Sequence, residues 1–280
     1  MHRTYDDEVI SVAQNYYNSD DADNFYYTIW GGEDIHIGTY ESTNESIFDA
    51  SRRTVENMVS QLKNLDDSCK VLDLGAGYGG AARYLAKHYG CQVVALNLSE
   101  AENKRNRQKN QEQNSDHLIE VLDANFEDVP YPDNSFDVVW SQDSFLHSPN
   151  REQVLAEAAR VLKSGGEFVF TDPMMSDNCP EGVLQPILDR IHLESLASPK
   201  FYREVSKKLG LEEISFKDHT QQLVNHYSRV LEETEKNETE LRKNDVSEDY
   251  ISNMKKGLQH WINGGQNGYL TWGIFNFKKK

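Results

Sequence analysis

Residues 71–80 read Val-Leu-Asp-Leu-Gly-Ala-Gly-Tyr-Gly-Gly. An apolar pair, Val71-Leu72, runs into an acid, Asp73, and then into Gly75, Gly77 and Gly80 at G-x-G-x-x-G spacing; a helix-compatible run begins at Ala81. This pattern predicts a strand that turns tightly into a helix, with a floor of bare backbone on which a nucleotide can lie. The glycine spacing alone is shared with dinucleotide-binding folds. Asp73 separates the alternatives, because an acid two residues before the first glycine suits a cationic ligand head and repels a pyrophosphate.

The surrounding chain alternates in the way such a turn requires. Strands are expected over residues 70–74, 92–96, 117–122, 136–140 and 167–171, and helices over 81–89, 100–113 and 151–162. Apolar runs separated by helices at this spacing indicate a parallel sheet covered on both faces. Upstream, helices are expected over residues 6–17 and 49–65. Between them, residues 24–38 mix aromatics, glycines and a histidine too irregularly for one helix or strand, which suggests a hydrophobic plug or a lid. Beyond Asp172-Pro173 the pattern changes: mostly helix over 174–210, a strand over 211–216, an acidic helix over 222–240, a helix over 249–261 and a closing strand over 270–277. The expected organisation is N-terminal helices and a lid segment (1–65), a nucleotide-binding core (66–172), a substrate cap with one core strand (173–265) and a closing strand of the sheet (266–280).

The net charge of −17 opposes binding to nucleic acid or an anionic membrane, both of which need a basic footprint. No stretch reaches membrane-span length, and residues 1–7 show no secretory leader. The three cysteines, Cys69, Cys91 and Cys179, read as reduced thiols of a cytoplasmic protein. The nine histidines show no metal-ligand spacing, so no metal site is expected.

In an open α/β sheet the ligand lies across the carboxyl ends of the strands. The second strand ends on Asn97, where a ribose usually meets an acid, and Glu102 follows in the next helix. Asn97 reads as a ribose contact or as a helix cap, a role open to Ser99 as well. The third strand ends Asp123-Ala124-Asn125-Phe126, where a carboxylate can accept from an adenine amino group and Phe126 can pack nearby. The fourth ends Ser141-Gln142-Asp143-Ser144-Phe145-Leu146-His147, so polar groups crowd the place where two ligands would meet. His147 reads either as a satisfied loop histidine or as a functional one.

The ordered set formed by residues 71–80, Asn97-Leu98-Ser99, Asp123-Ala124-Asn125-Phe126, 136–147 and 162–166 resembles class I S-adenosylmethionine-dependent methyltransferases. The flanks are more specific. Residues 25–38, Phe-Tyr-Tyr-Thr-Ile-Trp-Gly-Gly-Glu-Asp-Ile-His-Ile-Gly, are similar to the N-terminal signature of the sarcosine/dimethylglycine N-methyltransferases that make glycine betaine, as are Thr171-Asp172-Pro173, residues 177–184 and 222–230, and His260-Trp261-Ile262-Asn263. The likeness runs over residues 8–280.

The resemblance implies a Rossmann-like α/β methyltransferase sheet with helices on both faces and a mainly helical substrate cap. It implies methyl transfer from S-adenosylmethionine to the nitrogen of sarcosine and dimethylglycine, with glycine or phosphoethanolamine as alternative acceptors. The enzyme would be a monomer or homodimer acting on a small amino acid. The expected cofactor contacts are Tyr27, His36, Asp73, Gly75, Ala76, Gly77, Asn97, Leu98, Glu102, Asp123, Ala124, Asn125, Phe126 and Gln142. His147 is the candidate proton acceptor or substrate-orienting group. The acceptor site is expected from Tyr26, Trp30, Asp143, Arg190, Tyr227, Arg229 and Trp261, since aromatic faces suit a quaternary ammonium and a guanidinium suits a carboxylate. Arg229 is the first choice of anchor, sharing a helical face with Gln222, Asn225 and His226. Glu232 and Glu233 beside it allow a surface ion pair instead.

Overall fold

The structure, a computed structural model, describes residues 19–191 and 193–280. The helix expected over residues 6–17 lies outside the described residues. Seven strands form one sheet: β1 (Lys70–Leu74), β2 (Gln92–Asn97), β3 (Ile119–Asp123), β4 (Phe136–Gln142), β5 (Leu162–Thr171), β7 (Leu211–Asp218) and β9 (Gly273–Lys279). Their order is β3-β2-β1-β4-β5-β9-β7. The first five pair in parallel, and β9 enters antiparallel between β5 and β7. A separate antiparallel pair joins β6 (Met174–Met175) to β8 (Leu270–Thr271).

Strand alternation fills both faces of the sheet. Leu72, Leu74, Val94, Leu96, Phe168 and Phe170 pack on one side against α5 (Arg151–Val161) and α7 (Pro199–Lys208). Val71, Val93, Ala95, Val138, Trp140 and Val169 pack on the other against α2 (Ile47–Val59) and α3 (Gly80–Tyr89). Helix α4 (Glu100–Glu112) connects β2 to β3. The chain leaves β1 towards β2 and β3, and leaves β4 in the opposite direction towards β5. The crevice between the carboxyl ends of β1 and β4 is therefore the topological switch point, where ligands bind in such sheets.

Several boundaries differ from expectation, among them the end of α2, at Val59 where the helix is expected to run to 65. Residues 162–166 belong to β5, which carries an irregularity opposite Phe136 and Val138 and places Gly165 at φ 78°. Half of the aromatic segment is regular: α1 (Asp20–Trp30) is capped by Ser19, whose hydroxyl accepts the Ala22 N–H, and ends at Gly31 with φ 79°. Asp20, Asp21 and Asp23 in its first turn suit the positive end of the helix dipole. From Gly31 the chain is irregular up to Ser46, the cap of α2. The cap, finally, comes in two pieces. One is α6 (Gln185–Ile191); the other is α8 (Thr220–Lys236), α9 (Glu238–Lys243) and α10 (Glu248–Gln266). Between them α7 and β7 return to the core. No helix among the described residues is long and apolar enough to cross a membrane.

Candidate active site

The glycine loop after β1 is pinned from both sides. The Gly75 and Ala76 N–H groups donate to Leu96 O at 2.8 and 3.1 Å, while the Ser141 and Ser144 hydroxyls donate to Leu74 O at 2.7 and 3.0 Å. Gly75 has φ 78°, and a Cβ there would stand 2.5 Å from Ser144 Oγ, so only glycine lets the two loops meet. Above this floor lies a cavity of about 990 Å3, counting the part open to solvent, between Gly75-Ala76-Gly77, the ends of β2 and β4, and the segment Glu33–His36 of the irregular stretch. Asp73 lies in its wall, fully buried; its Oδ2 has no hydrogen-bond partner, and burial pushes its pKa up to about 7. At the far corner Glu102 is buried and likewise pushed up to about 7, with Asn97 Nδ2 donating to its Oε2 at 2.8 Å.

These features fit S-adenosylmethionine. The orphaned Asp73 oxygen suits an ammonium, the glycine floor suits a chain lying against backbone, and Glu102 with Asn97 suits a ribose. Phe126 and Leu98 line the space left for an adenine.

A second cavity, of about 970 Å3 by the same measure, opens behind the first. Ile35, His36, Asp143 and His147 line both, so the two spaces meet at one junction. Aromatic rings wall the second cavity. Tyr227 stacks on Trp261 with centroids 5.2 Å apart, and Tyr26 and Trp30, one helical turn apart on α1, sit 5.2 Å from each other. Arg190 is the one lysine or arginine among the lining residues. Asp143, at φ 51°, accepts the Ile37 N–H at 2.7 Å and the Trp272 indole N–H at 2.8 Å. His147 is partly buried, and loss of solvent around the ring, with Arg151 nearby, lowers its pKa to about 4; it is a neutral imidazole at pH 7. His226 is neutral for the same reason, lowered to about 3. Its Nδ1 accepts the Gly38 N–H at 3.1 Å, so the ring proton sits on Nε2.

A family model described as a methyltransferase domain matches residues 72–170. A sarcosine/dimethylglycine N-methyltransferase of Halorhodospira halochloris is 65% identical over 279 residues, covering 100% of both chains. The chain belongs to the sarcosine/dimethylglycine N-methyltransferases. A second such enzyme, from Aphanothece halophytica, is 57% identical over 98% of each chain. A solved structure of a candidate sarcosine dimethylglycine methyltransferase from Galdieria sulphuraria superposes with a TM-score of 0.90, at 43% identity, over 95% of this chain and 99% of that one.

In this sarcosine/dimethylglycine N-methyltransferase the first cavity gathers His36, Asp73, Gly75, Ala76, Gly77, Asn97, Leu98, Glu102, Asn125, Phe126 and Gln142, as well as Asp143 and His147. Three expected cofactor contacts lie elsewhere. Asp123 is held at the surface by Asn103 Nδ2 at 2.8 Å and by an ion pair with Arg107, and neither it nor Ala124 lines the cavity. Tyr27 is 40% exposed, with the Arg105 guanidinium over its ring at 4.6 Å. One residue on a helix turns the side chain by about 100°, so Tyr26 faces the second cavity and Tyr27 faces outward.

The second cavity gathers Tyr26, Trp30, Asp143, Arg190, Tyr227 and Trp261. Arg229 is not among them, which corrects the first choice of anchor. Its Nε donates to Glu45 O at 3.1 Å, and it pairs with Glu232 at 2.8 Å and Glu233 at 2.6 Å. The polar stripe on α8 does share one face, but the face grips the chain at 38–45. Gln222 both accepts the Tyr40 N–H and donates to its carbonyl, and His226 takes the Gly38 N–H.

Sequence reasoning did not single out Ile35, Ser144, His226, Met254 or Leu258 as site residues. Met254, Leu258 and Trp261 form a stripe at i, i+4, i+7 on α10. That spacing identifies a buried face, not what the face meets.

Proposed function

We propose that this enzyme transfers a methyl group from S-adenosylmethionine to the nitrogen of sarcosine and of dimethylglycine, the second transfer yielding glycine betaine. The observation that carries the reading is the junction of the two cavities at Ile35, His36, Asp143 and His147. On one side stands an unpartnered buried carboxylate over a glycine floor. On the other stands an aromatic chamber with a single guanidinium.

S-adenosylmethionine supplies an electrophilic methyl on a sulfonium and leaves as S-adenosylhomocysteine. The chain's own residues do the rest. Asp73 and the Gly75–Gly77 backbone hold the amino acid end of the cofactor, and Glu102, oriented by Asn97, holds the ribose. Arg190 takes the acceptor's carboxylate, the strongest handle on a small zwitterion. The amine must be neutral to attack, and a chamber of low polarity disfavours its ammonium form. His147, neutral at pH 7, is available to orient the nitrogen, and its lowered pKa makes it a weak acceptor for the proton. With the cofactor bound, methyl transfer would leave positive charge on the acceptor nitrogen. Tyr26, Trp30, Tyr227 and Trp261 present ring faces to it, a contact that strengthens as the charge develops. The Asp143 carboxylate, wedged between both cavities, faces that charge throughout. Alignment of donor and acceptor is the main catalytic task.

A phosphorylated amine is the poorer fit, since a dianion calls for more cations than Arg190 alone. The acidic surface and the three free cysteines, two of them buried, accord with a cytoplasmic enzyme that binds neither nucleic acid nor membrane and works as a monomer or homodimer. The test is a panel of glycine, sarcosine, dimethylglycine and phosphoethanolamine with S-adenosylmethionine and purified enzyme. Dimethylglycine and sarcosine are expected to be methylated, and glycine poorly or not at all. Preference for glycine or phosphoethanolamine would overturn the acceptor assignment.

A further inference from the structure

The stripe of α10 that faces the aromatic chamber is interrupted. Met254, Leu258 and Trp261 line the cavity, and Gly257 lies in the same stripe between them. Glycine inside a helix is unfavourable relative to alanine. It sits mid-helix, with no turn to make and no positive φ. What occupies the space of its missing side chain is Arg190. A Cβ at position 257 would stand 2.5 Å from Arg190 Cδ and 2.7 Å from its Cζ, with Nε closer still. Arg190, at the end of α6, thus lies flat across the bare backbone of α10, and its Nη2 comes to 2.9 Å from Met254 Sδ. Seven residues on, Gly264 does the same for an apolar neighbour: a Cβ there would meet Leu270 at 2.8 Å and Ile187 at 3.6 Å. Gly264 makes its room for Leu270 of β8, and Gly257 makes its room for Arg190 of α6. Of the two, only Gly257 makes room for a charge.

We propose that Gly257 is a positioning residue for acceptor binding: its missing side chain forms the slot that holds the Arg190 guanidinium in the aromatic chamber. The proposal rests on the reading of Arg190 as the carboxylate anchor. The crowding atoms belong to a long flexible side chain, not to backbone. Gly257→Ala therefore swings Arg190 aside and leaves the helices in place. The helix itself gains from alanine, so folding is not the weak point of the variant.

The experiment is a double-mutant cycle on the full chain, reading dimethylglycine KM and kcat, S-adenosylhomocysteine affinity by calorimetry, and thermal midpoint. Arg190→Ala is expected to raise KM at least about tenfold, the loss of one charge-assisted bond. Gly257→Ala is expected to raise KM about three- to tenfold, with S-adenosylhomocysteine affinity unchanged and a midpoint equal to or above that of the parent. In the double variant Gly257→Ala is expected to add nothing to Arg190→Ala, because the residue acts only through that guanidinium. If Arg190→Ala leaves KM unchanged, the anchor reading fails and the inference falls with it. If Arg190→Ala raises KM but Gly257→Ala does not, or if the two effects add in full, the anchor stands and the slot is refuted.

Discussion

The two cavities that meet at His36 and Asp143 are nearly equal in volume and are built by opposite means. Backbone makes the first: a glycine loop, the ends of β1, β2 and β4, and hydrogen bonds from Ser141 and Ser144 that fix the loop to its neighbour. Side chains make the second, projecting from α1, α6, α8 and α10, elements that come from four separate parts of the chain. A site made of backbone is rigid and binds whatever the fold binds. A site made of side chains on packed helices can be retuned one residue at a time. The cofactor side therefore states the chemistry and the acceptor side states the substrate.

This division predicts that a change in either cavity leaves the other ligand alone. The largest effect is expected from Asp73→Asn, which removes the anion facing the cofactor's ammonium. S-adenosylmethionine Kd is expected to rise about ten- to hundredfold, the worth of one charge-assisted bond of about 1.5–3 kcal/mol. Calorimetry checks this, and an unchanged Kd in a folded variant would detach the cofactor from β1. The same variant carries a pH signature. The folded Asp73 carboxyl has a pKa of about 7, above its unfolded value, so it holds a proton that the unfolded chain has lost. Its stabilising contribution is complete below the unfolded pKa of about 4 and disappears as pH rises through about 7. Without cofactor, the Asn variant's thermal midpoint is therefore expected to drop less than the parent's between pH 5 and pH 8.

Trp261→Leu is expected to act next most strongly, and only on the acceptor side. Losing one ring face costs about 0.5–2 kcal/mol, or roughly two- to thirtyfold, in dimethylglycine KM and in betaine affinity. Cofactor affinity is expected to stay within twofold of the parent, about the scatter of such measurements. Loss of cofactor binding would mean that the cavities are not separable. The smallest kinetic effect is expected from Arg229→Ala. The structure uses this residue to grip Glu45 and two glutamates of its own helix, so KM is expected to remain within about twofold of the parent while stability falls by about 1 kcal/mol. A tenfold rise in KM would bring Arg229 back into the acceptor site.

The same division explains what was legible in the sequence. Asp73, Gly75 and Gly77 were found because a strand–loop–helix turn makes demands that residue types reveal directly: positive φ, close approach and a buried charge at a strand end. The sheet followed from alternation, and β9 was found as a closing strand by its period of two. Asp123 follows from the same logic, and the strand does end there, but its side chain is turned to Asn103 and Arg107 of α4 and does not line the cavity. Arg229 shows the wider limit. Helical spacing put Gln222, His226 and Arg229 on one face, as found, yet nothing in the spacing says that this face meets Gly38, Tyr40 and Glu45. Arg190, 39 residues earlier in another helix, carries no such pattern. Its place in the chamber depends on how α6 crosses α10, which is a property of packing.

The antiparallel seating of β9 beside β7 has a consequence for how such enzymes diversify. Asp218, the last residue of β7, and Gly273, the first of β9, are register partners. The whole stretch 219–272 thus departs from the sheet and returns to it at adjacent positions, like an oversized hairpin loop. Its length and contents can change without disturbing a rung between β7 and β9, so long as the two ends meet and β8 keeps its pairing with β6. His226, Tyr227, Met254, Leu258 and Trp261 of the acceptor chamber hang from that one staple, while α1, α6, the segment 35–37 and the loop after β4 supply most of the rest. Transplanting 219–272 between relatives, with matching replacements on α1 and α6 and with the contacts to Gly38, Tyr40 and Asp143 kept, is thus a route to new acceptors.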